Sequence, residues 1–537
     1  MAGGLLNLVS KGAPSIMLYG NPTKTYFKAK YRKITNFGMQ RIRLDPISNR
    51  DALFDKEVEY RFKVDRQADL LYDTYIVANL PDIYSPLAFD AEYGFNAGYM
   101  ETGFRWIDNL GAMMIKDIQI LVGGHMMSRY DGEYITMVAN REKRQMWNQM
   151  TGNIPELNDP ANALNRKGFY PNVDGSGNPM EPSIRGRQLY IPLNAWFCQS
   201  TYRAFPLIAL QYAEMEIVIT LRKISELYRI RNTFNITDLD ADNKPKYVAP
   251  DPAQKLHQFF YFKNSPKVPL VDLPTTNNIA SLYTDQTNEC NFDLHLIANY
   301  IYLDDDERLQ IAKSNHEYLI YDPYKYEFLN VTGSRSLNIE TKDLVSSYMI
   351  RFRRSDVDQR NEWTNYTNWE YPEEPPQPLQ ITPISSIKTT GPFNIANQKN
   401  ILIDIAFLLD GKYRENLTRG EMYKYAEAYT RNKNVFDELP EVYYYNYSLS
   451  TDITDIQPSG AINMNAFKRF TLEFNTINPP PSDTPILDDI CDDQGNIIGT
   501  RKTTWVLNKY NYDIAIFEER INKVIITSGM CGLLYAR

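Results

Sequence analysis

The stretch VEYRFKVD, residues 58–65, alternates apolar and charged side chains without interruption. Successive side chains of an extended strand point to opposite faces, so this stretch predicts a strand with one buried face and one wet face. The same period returns at residues 290–296 and 470–475, and more loosely at 216–222. Half-buried antiparallel strands of this kind are typical of β-sandwiches.

Helical patterns are fewer and shorter than strand patterns. Residues 304–312 and 420–429 predict short helices that decorate β domains. Composition points the same way, because 39 Tyr stand beside 24 Phe and 6 Trp, and aromatic side chains favour strands and interfaces. The sequence therefore predicts a mainly all-β protein with short helices and long loops.

A chain of 537 residues is too long for one ordinary core, so two large domains are expected. A polar, proline-bearing stretch at residues 232–254 divides the chain almost in half. Two segments of the second half, about 354–399 and 411–441, are predicted to form long surface loops. The predicted order is an N-terminal segment at 1–25, a first sandwich at 26–231, a linker at 232–254 and a second sandwich at 255–537.

Charge, cysteine usage and hydropathy narrow the class of protein. A formal charge of −8 argues against a surface that coats nucleic acid throughout. The four cysteines lie far apart without a CxxC pair, which favours free thiols over a disulfide scaffold or a zinc ribbon; they are Cys198, Cys290, Cys491 and Cys531. The N-terminus lacks the pattern of a secretory signal, and no window reaches the roughly 18 uncharged apolar residues of a membrane span. These features predict a cytosolic protein.

No catalytic motif is present in the sequence. It contains no GxSxG, GxxxxGK[ST] or HExxH, and its four histidines share neither helix-face nor finger spacing. These histidines are His125, His257, His295 and His316. We therefore predict that the protein is not an enzyme and has no catalytic, cofactor-binding or metal-binding residue.

One acidic stretch resembles part of a calcium-binding loop. Asp238, Asp240 and Asp242 match the first three ligand positions of an EF-hand. Asn243 and Ala249 then stand where that loop requires a glycine and a bidentate glutamate. The stretch is better interpreted as a solvated linker.

Basic residues concentrate near the N-terminus, with aromatic residues between them and no acid from residue 24 to 44. They are Lys24, Lys28, Lys30, Arg32, Lys33, Arg41 and Arg43, interleaved with Tyr26, Phe27 and Tyr31. Such a segment can hold a nucleic-acid backbone or an anionic membrane. The preferred interpretation is a strand whose basic face meets acidic neighbours in an oligomer. An amphipathic segment at 5–18 can touch a membrane or a partner.

Several segments, in order from end to end, resemble one protein family. They are GGLLNLV (3–9), YGNP (19–22), TYFK (25–28), LYIPLNAWFC (189–198), AFPLIALQY (204–212), YLDDDER (302–308), QPSGAINM (457–464) and SGMCGLLYA (528–536). On these segments the chain resembles the major capsid proteins of nucleocytoplasmic large DNA viruses. Because the matches lie at both termini and in both halves, the resemblance covers the chain as a whole.

The resemblance implies a fold and an assembly. Two consecutive eight-stranded antiparallel jelly rolls are expected, and three subunits would form a pseudo-hexagonal capsomer of an icosahedral shell. The implied partners are further copies of the chain, minor capsid proteins and penton proteins, without specific nucleic-acid binding. The N-terminal segment would face inward, toward minor capsid proteins or an internal membrane, in a virion assembled in the host cytoplasm.

Two other functions fit a β-sandwich protein in general. A carbohydrate-binding protein would need a groove lined by exposed aromatic side chains. A glycoside-processing enzyme would need two carboxylates about 5–10 Å apart in a cleft. Neither alternative explains the matching segments at both termini.

Overall fold

The computed structural model describes residues 3–9, 12–48, 50–84, 87–89, 99–101, 103–142, 146–153, 182, 184–232, 246–254, 257–264, 283, 285–372, 397–431, 441–481, 487–491, 497–502 and 508–537. Sixteen strands within these ranges form two β-sandwiches, which we call the N-sandwich and the C-sandwich.

The N-sandwich consists of two facing antiparallel sheets. Its strands are β1 (Phe37–Leu44), β2 (Val58–Val64), β3 (Leu70–Leu80), β4 (Ile115–Val122), β5 (His125–Tyr130), β6 (Arg187–Pro192), β7 (Met215–Leu221) and β8 (His295–Leu303). Sheet N-I has the order β1-β8-β3-β6, and sheet N-II has the order β2-β7-β4-β5. Strand β2 buries every second residue, as its alternation predicted.

The C-sandwich repeats this arrangement. Its strands are β9 (His316–Phe328), β10 (Ser334–Ile339), β11 (Leu344–Arg354), β12 (Leu402–Leu409), β13 (Lys412–Arg419), β14 (Val442–Asn446), β15 (Phe470–Thr476) and β16 (Tyr512–Thr527). Sheet C-I has the order β9-β16-β11-β14, and sheet C-II has the order β10-β15-β12-β13. Adding eight to each strand number of the N-sandwich gives the order in the C-sandwich. Both units are therefore eight-stranded jelly rolls of one topology.

Helices and short strands occupy the connections. The helices are α1 (Gly3–Val9), α2 (Ala13–Tyr19), α3 (Gly132–Arg141), α4 (Asp305–Lys313) and α5, which is π-helical over Met422–Ala426 and α-helical over Glu427–Arg431, with single turns at Leu110–Met113, Trp147–Thr151, Trp196–Gln199 and Phe260–Lys263. Short strands are Leu87–Phe89, Tyr99–Glu101, Arg105–Trp106, Phe205–Pro206, Tyr228–Arg231, Tyr247–Val248, Ile462–Asn463, Leu487–Cys491, Ile497–Lys502 and Met530–Leu533. The helices predicted at 304–312 and 420–429 are confirmed as α4 and α5.

The strand pairing corrects the predicted domain boundary. Strand β8 follows the predicted linker at 232–254, yet it pairs with β1 on one side and with β3 on the other. The N-sandwich therefore extends to Leu303 instead of ending at 231, and within the domain predicted to start at 26 the first strand begins at Phe37. Alternation identifies a strand but not its partner, so the last strand of the first jelly roll was assigned to the second half.

The predicted surface loops also differ from the structure. Residues 355–372 belong to the first predicted loop, yet Tyr366 and Thr367 are completely buried there. The second predicted loop begins with strand β13 and continues into α5. The remaining parts of these predictions, 373–396 and 432–440, lie outside the described residues.

Sheet C-I is buried on both faces. Ile514 and Ile516 of β16 point into the core of the C-sandwich, whereas Ala515 and Phe517 join the large core that continues into the N-sandwich. A strand that is buried on both faces has a nearly continuous apolar sequence, without the alternation of a half-buried strand. Sheet C-I thus packs against the core of the C-sandwich with one face and against the N-sandwich with the other.

Candidate functional site

The two sandwiches meet where α3 lies on the outer face of sheet C-I. Nine of the ten residues of this helix are buried. The ring centroids of Tyr134 and Phe517 lie 6.1 Å apart, and the Tyr134 hydroxyl donates a hydrogen bond of 2.9 Å to Glu519. Asn140 donates a further hydrogen bond of 3.2 Å to the hydroxyl of Tyr444. The N-sandwich therefore contributes a helix, and the C-sandwich contributes a sheet, to one dry junction.

Local sequence explains why α3 begins where β5 ends. The carboxylate of Asp131 accepts a hydrogen bond of 2.8 Å from the backbone N–H of Tyr134, as an N-cap residue does. A Cβ atom on Gly132 would lie only 1.8 Å from the carbonyl oxygen of Ala112. Only glycine allows the helix to start this close to the neighbouring backbone.

A buried ion pair joins α3 to β16. Arg141 contacts Glu519 through two hydrogen bonds of 2.7 and 3.0 Å, and both side chains are almost completely buried. Ser347 donates a third hydrogen bond of 2.6 Å to the same carboxylate. Burial by itself would raise the pKa of Glu519, but the charge of Arg141 holds this pKa below its usual range. A bidentate pair of this kind fixes the orientation of the two groups as well as their distance.

A second buried carboxylate, Glu133, lies at the other end of α3. Arg351 of β11 donates hydrogen bonds of 2.7 and 3.2 Å to it, and Lys325 of β9 lies 3.1 Å away. Burial would raise the pKa of Glu133, but Arg351, Lys325 and Arg353 hold the pKa well below its usual range. The hydroxyl of Tyr366 donates another hydrogen bond of 3.1 Å. Both ends of α3 are thus bound to the C-sandwich by charge.

Replacing Glu133 with glutamine is expected to lower the free energy of unfolding by about 1–3 kcal/mol at neutral pH. The loss is limited because Glu327 still lies 3.3 Å from Arg351 in the variant. The pKa of Glu133 is lower in the folded chain than in the unfolded chain. Its contribution is therefore complete above the unfolded pKa and disappears as the pH falls toward the folded pKa.

Urea unfolding of the wild type and of Glu133→Gln measures this pH dependence. The two free energies should differ by a constant amount from about pH 8 to pH 5 and should converge below about pH 4. A difference that increases as the pH falls would contradict the ion-pair assignment.

The 355–372 segment connects β11 to the following part of the C-sandwich and packs against the N-sandwich. Asn361 donates hydrogen bonds of 2.8 Å to the carbonyl groups of Ser225 and Tyr228. The buried guanidinium of Arg229 pairs with Glu362 of this segment. This segment therefore adds a second set of buried contacts between the sandwiches.

The residues considered as chemical candidates do not come together. His257 lies in the N-sandwich region, where burial lowers its pKa to about 4, and His316 contacts the carbonyl of Ile311 at 2.7 Å. Within the ranges that the structure describes, no three His, Cys, Asp or Glu side chains form a group that could hold a metal ion. The acidic stretch at 238–242 lies outside the described residues. Cys198, Cys290 and Cys531 are free thiols.

The N-terminal segment is exposed from residue 16 to residue 41, and strand β1 buries only its last residues. Leu6, Met17 and Phe27 are 71%, 95% and 99% exposed. Within the described residues no helix is long and apolar enough to cross a membrane. Sequence reasoning identified this segment, but it missed the buried charges of the junction. The only sequence signal for them was a set of charged residues inside otherwise apolar strands, as at 517–521.

Two jelly rolls of identical topology on one chain, joined by a dry charged junction, define a double jelly-roll protein. A comparison with protein families then identifies the family: the one described as "Major capsid protein N-terminus" matches residues 25–304. The chain belongs to this family of major capsid proteins of large DNA viruses. The matched range ends one residue after β8, in agreement with the corrected boundary.

Individual relatives carry the same description. The major capsid protein of Chrysochromulina ericina virus is 30% identical over 63% of this chain and 54% of its own length. The probable capsid protein 4 of Acanthamoeba polyphaga mimivirus is 24% identical over 90% of this chain and 94% of its own length. The chain thus spans about half the length of the first relative and almost all of the second.

A solved structure shows the same fold. The crystal structure of VP54 of PBCV-1 matches with a TM-score of 0.59 and 18% identity, and the match covers 96% of this chain and 100% of VP54. The expected pair of jelly rolls is confirmed. The relatives are structural capsid proteins, so the chain is a structural protein and not an enzyme.

Proposed function

We propose that the chain is the main building block of an icosahedral virus shell and that three copies form one pseudo-hexagonal capsomer. The observation that carries this proposal is the identical strand order of the two sandwiches, held at a fixed relative position by α3. A trimer then has six similar units around its rim, so that threefold symmetry is sufficient for packing in a hexagonal array. The protein acts through shape and repeated contacts, without catalytic, cofactor or metal-binding residues.

The surroundings of such a capsomer follow from the same proposal. Neighbouring capsomers, minor capsid proteins and penton proteins are its partners, and the shell encloses the viral genome and an internal membrane. Assembly takes place in the host cytoplasm, and the mature location is the virion.

Light scattering of the purified protein tests the trimer. The mass of one chain is 62.4 kDa, so three chains give 187 kDa. A stable peak of that mass, with a hexagonal outline in negative-stain images, is the expected result. A monomer at concentrations of about 10 μM or more, far above the dissociation constants of obligate interfaces, would contradict the proposal.

The N-terminal segment is proposed to face the inside of the shell. Residues 1–44 contain eight of the 58 Lys and Arg and none of the 66 Asp and Glu, so this segment carries a charge of +8 and the remainder carries −16. A basic segment with exposed apolar residues binds anionic lipid headgroups.

Flotation with vesicles tests the membrane contact. The trimer is expected to float with phosphatidylserine vesicles and to lose this binding when Lys24, Lys28, Lys30 and Lys33 are replaced by glutamine. Neutral vesicles provide the control. Equal binding to both vesicle types, or binding to neither, would contradict the contact with an anionic membrane and would favour a protein partner for this segment.

A further inference from the structure

The two sandwiches carry the same connecting helix at the same position. Helix α3 follows β5, and α5 follows β13, which is the corresponding strand of the C-sandwich. Each helix begins beside a glycine in close contact with its surroundings. A Cβ atom on Gly132 would lie 1.8 Å from Ala112, and one on Gly420 would lie 2.9 Å from Leu402. The two helices are therefore equivalent elements of a repeated fold.

The two helices differ in how much of their surface is buried. In α3, nine of ten residues are buried, and Tyr134, Asn140 and Arg141 contact sheet C-I. In α5, only Tyr423 and Ala428 are buried, whereas Met422, Tyr425 and Tyr429 are 48%, 53% and 89% exposed. Tyr425 and Tyr429 are four positions apart, so these two exposed rings lie on one side of the helix.

The two equivalent sheets show the same difference. The outer face of sheet C-I is buried under α3, whereas the outer face of sheet N-I is only partly buried. Strand register places Met39 opposite Ile301 and Tyr190 opposite Val77 on this outer face. Met39 is 61% exposed and Tyr190 is 39% exposed. Each chain thus presents one largely exposed helix and one partly exposed sheet face, which correspond in topology to the two halves of its own internal junction.

We propose that α5 of one copy docks on the outer face of sheet N-I of a second copy, in the way that α3 docks on sheet C-I within each chain. This inference rests on the proposed trimer and assigns its interface. The contact is head-to-tail, because the two surfaces are different, and such contacts close into a ring of three when each copy is rotated by about 120° from the last. Three copies then give six similar junctions around the ring, alternately within a chain and between chains.

Two double variants, one for each surface, test the proposal. The helix variant carries Tyr425→Asp and Tyr429→Asp, and the sheet variant carries Met39→Asp and Tyr190→Asp. Each should raise the dissociation constant of the trimer by about 100-fold or more, because charges replace aromatic and apolar anchors. The control is Tyr202→Asp, a change at a tyrosine that is 74% exposed on neither surface. Circular dichroism establishes that all variants are folded.

Mixing the two variants gives the decisive result. The helix variant keeps an intact sheet N-I and the sheet variant keeps an intact α5, so one productive contact remains between them. The expected product is a dimer of 125 kDa, twice the mass of one chain, although each variant alone is monomeric. The assigned interface would be overturned if either variant alone formed a trimer, or if the mixture gave no dimer. A wild-type trimer would still support the proposed function in that case. A monomeric wild type would overturn both.

Discussion

Replacing Glu519 with glutamine is expected to lower the free energy of unfolding by about 3–5 kcal/mol, because the change removes the charge that compensates a buried arginine. Arg141 is completely buried, and its two terminal nitrogens bond only to this carboxylate among the contacts described above. Glu142 contacts its Nε at 3.0 Å and retains part of the compensation. Urea unfolding monitored by tryptophan fluorescence measures the loss.

Two further variants separate burial from charge. Glu317→Gln removes the partner of Lys523 in a pair of similar length, 2.7 Å, in which the side chains are 58% and 37% exposed. It should cost less than about 1 kcal/mol. The double change Arg141→Met with Glu519→Leu should recover part of the lost stability, since apolar residues of similar volume can replace a buried ion pair. The recovery is incomplete because Tyr134, Ser347 and Glu142 lose a buried hydrogen-bond partner. A loss as large for Glu317→Gln as for Glu519→Gln would contradict this explanation.

Replacing Phe517 with alanine is expected to cost about 3–5 kcal/mol, the range for deletion of a buried phenylalanine ring. Phe517 is 1% exposed and fills the junction between Tyr134 and Lys325, whose Nζ lies 5.2 Å from the ring centroid. The substitution leaves a cavity at the junction between the two sandwiches. The variant should therefore also form trimers less readily than the wild type. Thermal unfolding and light scattering measure the two effects.

Phe27→Ala is the matched control for this deletion. The same side chain is removed from the exposed N-terminal segment, where Phe27 is 99% exposed. Its stability should stay within about 0.5 kcal/mol of the wild type. Equal losses at the two positions would show that the junction does not depend on the ring of Phe517.

The sequence was sufficient to predict strands that are covered on one side only. At β2 the alternation of residues 58–64 corresponds to the observed burial, and at β15 it does so from Leu472 onward, whereas Thr471 is buried. It was insufficient at β16, where residues on both faces are buried and a glutamate, a second glutamate and an arginine interrupt the apolar run at 518–520. The sequence of β16 therefore lacks the period-two alternation by which a half-buried strand is recognised.

The junction could not be predicted for a related reason. Arg141 and Glu519 are separated by 378 positions in the chain, and charged residues are ordinarily interpreted as solvated. Their pairing follows only from the placement of α3 on sheet C-I, which requires the topology of both sandwiches. The misplaced boundary at 232–254 has the same origin, because the pairing of β8 with β1 joins residues from opposite sides of that stretch.

The central positions of β8 and β16 set the order in which the chain can fold on the ribosome. Sheet N-I lacks its middle strand until Leu303 has been synthesised, and sheet C-I lacks its middle strand until Thr527 has been synthesised. At about 5–20 residues per second, the second event follows the first by on the order of ten seconds or more. During this delay α3 has no completed sheet C-I to cover. Its contacts with Phe517 and Glu519 therefore form only after almost the whole chain has been synthesised.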